Sequence, residues 1–144
     1  MFDLLIVNHI KKIIVPIDLK TSSMLEYDFP KKYLENRYDL QSRLYCKILK
    51  NIIKDDDYFK DFTITDFRFM VINKNNRLPL MFTDDYSFVE GDIEIKFKSG
   101  SKKILRNPVT IGKELRDYLN KESVVPTGID IYGLNSIRER LELL

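Results

Sequence analysis

Two short apolar runs flank a four-residue polar break at the start of the chain, and they constrain the fold more than anything after them. Phe2 to Asn8 and Ile13 to Lys20 are rich in aliphatic and β-branched residues and too short for ordinary helices, so both read as buried strands. His9 to Lys12 between them reads as a turn, which makes the pair a hairpin. Pro16 lies inside the second run. It lacks an N–H, so that side of the strand is expected to face an edge or an irregularity. Thr21 to Ser23 ends the strand.

The hydrophobic period then changes. Leu34, Tyr38, Gln41, Tyr45, Ile48, Leu49, Ile52 and Ile53 recur at spacings of three and four, which predicts one helix over 33–54. Pro30 suits its entry, and the acids Asp55 to Asp57 end it as a solvated terminus. Alternation returns over Phe62 to Asn73, a strand, followed by a turn and a short strand over Leu78 to Phe82. Asp92 to Lys98 and Lys102 to Asn107 flank Ser99, Gly100 and Ser101, a hairpin signal. Val109 to Lys121 reads as a helix with Thr110 as its cap and Glu114 near the capping-box position, and a short helix is expected from about Asn135. This order gives an α/β (α+β) domain with a mixed central β-sheet flanked by helices. At 144 residues the chain is read as one domain, with a motif-bearing core over 1–82 and a C-terminal hairpin and helices over 83–144.

Composition narrows the class without naming the chemistry. Hydrophobic residues are 44% and charged residues 32%, a soluble balance, and no apolar run reaches the roughly 20 residues of a membrane helix. Asp3, His9, Lys11 and Lys12 interrupt the first apolar stretch, which argues against a signal peptide. The one cysteine, Cys46, has no partner within the chain, so a reducing compartment such as the cytoplasm is expected, with Cys46 packed and inert. Net charge is +2, but Lys96, Lys98, Lys102, Lys103 and Arg106 fall together with no acid between them. Such a stripe either neutralises phosphates or is the solvated face of a hairpin.

The chemistry concentrates at the hairpin. Asp3 opens the first strand, while Asp18 and Lys20, two apart near the end of the second, share one face. Two carboxylates brought together are costly unless a cation neutralises them, and carboxylates with water are the ligands Mg²⁺ prefers. An ammonium beside such an ion would orient a water or stabilise charge on a phosphate. The plainer alternative makes Asp18 and Lys20 a solvated strand pair. On the predicted helix Gln41 and Tyr45 are four apart, with Arg37 one turn earlier on that face. A glutamine among apolar positions needs a hydrogen-bond partner. His9, at the turn, reads as solvated, and the acids at Asp84, Asp85, Glu90 and Asp92 read as loop charges.

Taken together, Asp3, the run Ile17 to Ser22 containing D-x-K, and Gln41 with Tyr45 as Q-x-x-x-Y resemble the PD-(D/E)XK nuclease superfamily, most closely its RecB-like and phage exonuclease branch. The resemblance covers about residues 1–82 and implies a restriction-endonuclease-like core. It implies Mg²⁺ or Mn²⁺ held by Asp3 and Asp18 with the Leu19 carbonyl as a further ligand, Lys20 activating water, and Gln41 and Tyr45 positioning the site or the strand. The implied activity is hydrolysis of DNA phosphodiester bonds by an exonuclease of phage or bacterial recombination, repair or defence, in the cytoplasm of a bacterial or infected host cell. Arg37, Lys96, Lys98, Lys102, Lys103 and Arg106 are then the expected nucleic-acid contacts. The family core begins with a helix and strand ahead of the first acid, so this core is expected to be N-terminally truncated. A longer parent nuclease, a partner subunit or second copy completing the core, and a shortened non-catalytic descendant that binds nucleic acid or assembles with others all remain open.

Overall fold

A computed structural model describes residues 2–23, 28–75 and 78–120. In chain order its elements are β1 (Leu4–Asn8), β2 (Ile13–Ser22), α1 (Phe29–Glu35), α2 (Tyr38–Lys54), β3 (Thr63–Ile64), β4 (Phe67–Asn73), β5 (Pro79–Asp84), β6 (Ile93–Lys96), β7 (Lys102–Leu105) and α3 (Pro108–Leu119). The chain divides into two compact units, Met1–Ile111 and Gly112–Leu144. The sheets and the site lie in the first. The short helix expected from Asn135 falls outside the described residues.

The fold is mixed α and β around a mixed sheet ordered β1-β2-β4-β5, with β3 also paired to β2. β1 and β2 are antiparallel, β2 and β4 parallel, and β4 and β5 antiparallel. A parallel neighbour requires a crossover, and α1 and α2 provide it.

Pro16 sits where its missing donor costs least. Ile14 pairs with Ile64 of β3, but Ile17 pairs with Arg68 of β4, so the neighbouring strands carry one extra residue across this stretch. The Ile14 carbonyl accepts the Thr65 N–H at 2.9 Å on that side. Residues two apart point their backbones the same way, so Pro16 meets the irregularity rather than a continuous ladder.

One face of the sheet packs on the helices. Phe67, Phe69 and Val71 of β4 cluster with Phe29 of α1 and Cys46 of α2, and Ile14 of β2 clusters with Leu49, Ile53 and Phe62. Phe67, Phe69 and Val71 are at most 1% exposed, and truncating such a phenylalanine to alanine typically costs about 3–5 kcal/mol. The other face keeps Leu4, Ile6, Leu19 and Met81 more than two-fifths exposed.

Three local expectations are corrected. The single helix over 33–54 is two: α1 closes at Asn36, and Arg37 takes the left-handed conformation with φ 54° before α2 begins. That conformation is uncommon for a side chain larger than glycine, and a paired contact to Asp39 holds it, with Nε and Nη2 donating to the two carboxylate oxygens at 2.8 and 3.1 Å. The strand expected over 62–73 is interrupted at 65–66 by the same irregularity. The cap of α3 is Asn107 rather than Thr110, its Oδ1 accepting the Val109 N–H at 3.0 Å. The β6–β7 hairpin turns at Gly100, φ 83°, as its Ser-Gly-Ser signal predicts. Arg43 of α2, 4% exposed, ties this region down by donating to the carbonyls of Val89, Gly91 and Arg106.

Candidate active site

The β1–β2 ladder stops at the pair Leu4–Ile17. Beyond it the next N–H of β2 directed toward β1 belongs to Leu19, and Asp3 Oδ2 accepts it at 2.8 Å. A side chain thus continues the ladder by one bond, and the first candidate acid is held beside residues 18–20.

Asp18 and Lys20 share the face that meets α2. Asp18 is 3% exposed. Gln41, in the first turns of α2, donates from Nε2 to Asp18 Oδ1 at 2.7 Å and accepts the Lys20 ammonium on Oε1 at 3.0 Å. The ring closes with Lys20 Nζ 2.6 Å from Asp18 Oδ2. That contact is a charge pair outside hydrogen-bond geometry, so Oδ2 is buried with no directed donor. Below the ammonium lie the rings of Tyr38, 4.5 Å away, and Phe69, 5.9 Å away. Asp18 and Lys20 therefore do not form a solvated strand pair.

The other expected site residues divide. Tyr45 lies one turn along α2 from Gln41, and its ring packs on Phe2 and Phe67 at 5.2 and 6.3 Å. Arg37 is not on the Gln41 face of a continuous helix. Its guanidinium faces Asp39, which is fully buried, and the Asp39 carboxylate raises the arginine's affinity for its proton. The basic stripe does not form one face either. In the β6–β7 register Lys96 and Lys102 oppose each other and both pair with Glu94, whereas Lys103, opposite Ile95, turns inward to donate to the Leu34 carbonyl at 2.8 Å. Lys98 and Arg106 are exposed.

As a metal site, the donors are two carboxylates and a carbonyl, and no group of three or more acidic, histidine or cysteine side chains suited to a metal occurs among the described residues. Two carboxylates and a carbonyl fit an ion that keeps most of its own waters, as Mg²⁺ does, and that ion would share Asp18 Oδ2 with the Lys20 ammonium 2.6 Å away. They do not fit a closed protein cage.

A second buried polar cluster went unread in the sequence. Asp84, expected to be a loop charge, is the last residue of β5 and 4% exposed. Tyr33 Oη donates to both of its oxygens at 3.0 Å, Ser42 Oγ to Oδ2, and the Tyr86 N–H to Oδ1 at 3.0 Å. Burial pushes its proton affinity up, opposed by the hydrogen bonds from Ser42, Tyr86 and Tyr33. Tyr33 is raised as well, by burial and by facing this carboxylate. The available signal was Asp39 and Ser42 on the buried arc of α2, where a polar side chain demands partners. Asp84, followed by another acid, carried no such mark.

No family model, no curated protein and no solved structure matches the chain.

Proposed function

We propose that the chain is a metal-dependent nuclease that hydrolyses DNA phosphodiester bonds, with Asp3, Asp18, Lys20 and Gln41 forming its centre and Tyr45 supporting it from the next turn of α2. The observation that carries this reading is the closed Asp18–Gln41–Lys20 ring, which brings residues of two separate motifs within hydrogen-bond distance. The crossover from β2 through two helices to a parallel β4 is compatible with the restriction-endonuclease-like core that the motifs suggest.

Asp3, Asp18 and the Leu19 carbonyl are the groups that would hold Mg²⁺ or Mn²⁺. Such an ion, when bound, supplies a more acidic water and neutralises charge on a phosphate. The chain's own residues set the stage for it. Gln41 fixes the Asp18 carboxylate and locates the Lys20 ammonium in one step, because its amide donates to one and accepts from the other. Lys20, held over Tyr38, carries a positive charge to where an attacking water or a phosphate oxygen would sit.

A second reading, a non-catalytic binding or assembly module, is favoured by a specific observation: Lys20 already neutralises Asp18 without a metal. The exposed apolar face of the sheet suits an assembly role. Digestion of linear duplex and single-stranded DNA with Mg²⁺, Mn²⁺ or EDTA separates the two. Nuclease function predicts metal-dependent cutting that Asp18→Ala and Lys20→Ala each reduce by at least 100-fold, on the order of 3 kcal/mol of transition-state stabilisation. Folded wild-type chain that leaves both substrates intact with either metal sinks the catalytic reading.

A further inference from the structure

Phe29, Tyr33, Phe69, Phe82 and Tyr86 surround a cleft of about 130 Å³ that reaches Asp84. This is the space of roughly four waters at ~30 Å³ each, enough for a compact group of about five heavy atoms. Asp84, one of its lining residues, is met by only neutral donors: the Tyr33 and Ser42 hydroxyls and the Tyr86 N–H. The charged side chain that acts on it is Asp39, another carboxylate, itself matched by Arg37.

The same aromatic cluster holds a carboxylate on each side. Toward Asp18, the Lys20 ammonium rests on Tyr38 and near Phe69 and compensates the acid. Toward Asp84, the cleft includes Phe69 again, four more rings, Asp84 and the exposed Asp85, but no basic residue among its lining. Aromatic faces attract cations, and a buried carboxylate strengthens the attraction. The carboxylate has little acceptor capacity left, since its roughly four acceptor sites already receive the Tyr33, Ser42 and Tyr86 donors. An ammonium with several N–H groups would lose its water and regain one hydrogen bond at most. A cation whose charge is spread over methyl groups has no such loss.

We propose that this cleft binds a quaternary trimethylammonium group. The site is independent of the nuclease reading and stands whether or not the chain cuts DNA.

The test is an NMR titration of the full chain, following the ring resonances of Tyr33, Phe82 and Tyr86. Tetramethylammonium is compared with ammonium, and choline with its neutral isostere in which a tert-butyl group replaces the trimethylammonium. The expected result is saturable shifts with tetramethylammonium and choline, at least tenfold weaker shifts with ammonium and with the isostere, and about tenfold weaker binding of tetramethylammonium to Asp84→Asn. Phe82→Leu keeps the charge and removes one ring, and is expected to weaken binding as well, which covers the case that Asp84→Asn fails to fold. Absence of saturable shifts overturns the proposal, and so does equal affinity for choline and its isostere, which would make the cleft merely apolar. Separate arms with choline, a trimethyl-lysine peptide and phosphatidylcholine vesicles then identify whether the group arrives on a solute, a protein tail or a lipid.

Discussion

Replacing Lys20 by methionine isolates the electrostatics of the proposed centre. Methionine keeps most of the aliphatic stem and removes the ammonium that rests over Tyr38, leaving Asp18 with one neutral donor, Gln41. The side chain of Asp18 is 5% exposed and that of Lys20 is 21% exposed, so the carboxylate cannot turn to bulk water without disturbing the helix–sheet contact. Removing one member of a buried pair typically costs about 3–5 kcal/mol. The partial exposure of the lysine places this pair near the lower end, at about 3 kcal/mol, or roughly a ten-degree fall in melting temperature for a chain of this size. The assay is urea unfolding at neutral pH, followed by circular dichroism.

The companion variant combines Asp18→Asn with Lys20→Met. It removes both charges and keeps an acceptor for Gln41, so it is expected to regain about 2 kcal/mol of the loss, a coupling readable as a double-mutant cycle. Lys20→Met within about 0.5 kcal/mol of wild type would mean that Asp18 does not depend on Lys20 to balance a buried charge. A double variant no more stable than Lys20→Met would place the damage in packing instead. Either result refutes the reasoning. Because the pair is costly to keep relative to a neutral replacement, a double variant that is as stable as wild type but unable to cut DNA would argue that the charges serve chemistry.

Two further expectations concern groups outside that centre. Burial raises the proton affinity of Asp84 above that of an ordinary carboxylate, so the folded chain binds this proton more tightly than the unfolded one. Its contribution to stability is fully present below the ordinary carboxylate range and is lost as pH rises through the raised folded value, so the urea midpoint of wild type minus that of Asp84→Asn should fall as pH rises above the ordinary carboxylate range; a flat difference would count against the burial of this group. Cys46 is fully buried, and desolvation pushes its thiol up to about 12. Thiol reagents should therefore label it only at the rate of unfolding, and prompt labelling of native protein at neutral pH would contradict its packing.

The hairpin, the helical segment after it and the strand at Phe67–Asn73 were legible because each buries a periodic set of apolar residues, and the period is written locally. What was not legible depended on contacts between distant residues. The break at Asn36–Arg37 leaves the apolar spacing undisturbed, since Leu34 and Tyr38 are four apart whether or not the helix is continuous. Only the fit of Arg37 to the buried Asp39 reveals it. The inward turn of Lys103 follows from the β6–β7 register, which a two-residue alternation does not fix without knowing which face is covered. Asp84 was misread for the same reason: its burial comes from Tyr33 and Ser42, contributed by helices about 40 to 50 positions earlier.

The placement of the proposed centre has its own physical logic. β2 is the longest strand and is paired on both sides, with β1 over residues 13–17 and with β3 and β4 on the other. Its backbone is therefore well constrained, and a side chain on it inherits that rigidity. Yet the β1 ladder ends at Ile17, one residue before Asp18, so the site begins where β2 is freed on one edge and still held by β4 on the other. Asp3 fills the first position past that end by accepting the Leu19 N–H, which ties a residue near the chain start to the same three-residue segment. A strand held along both edges would have no room there for a second carboxylate, and one free on both would not keep Asp18 against Gln41. The half-paired end of β2 is the place in this sheet where both conditions are met.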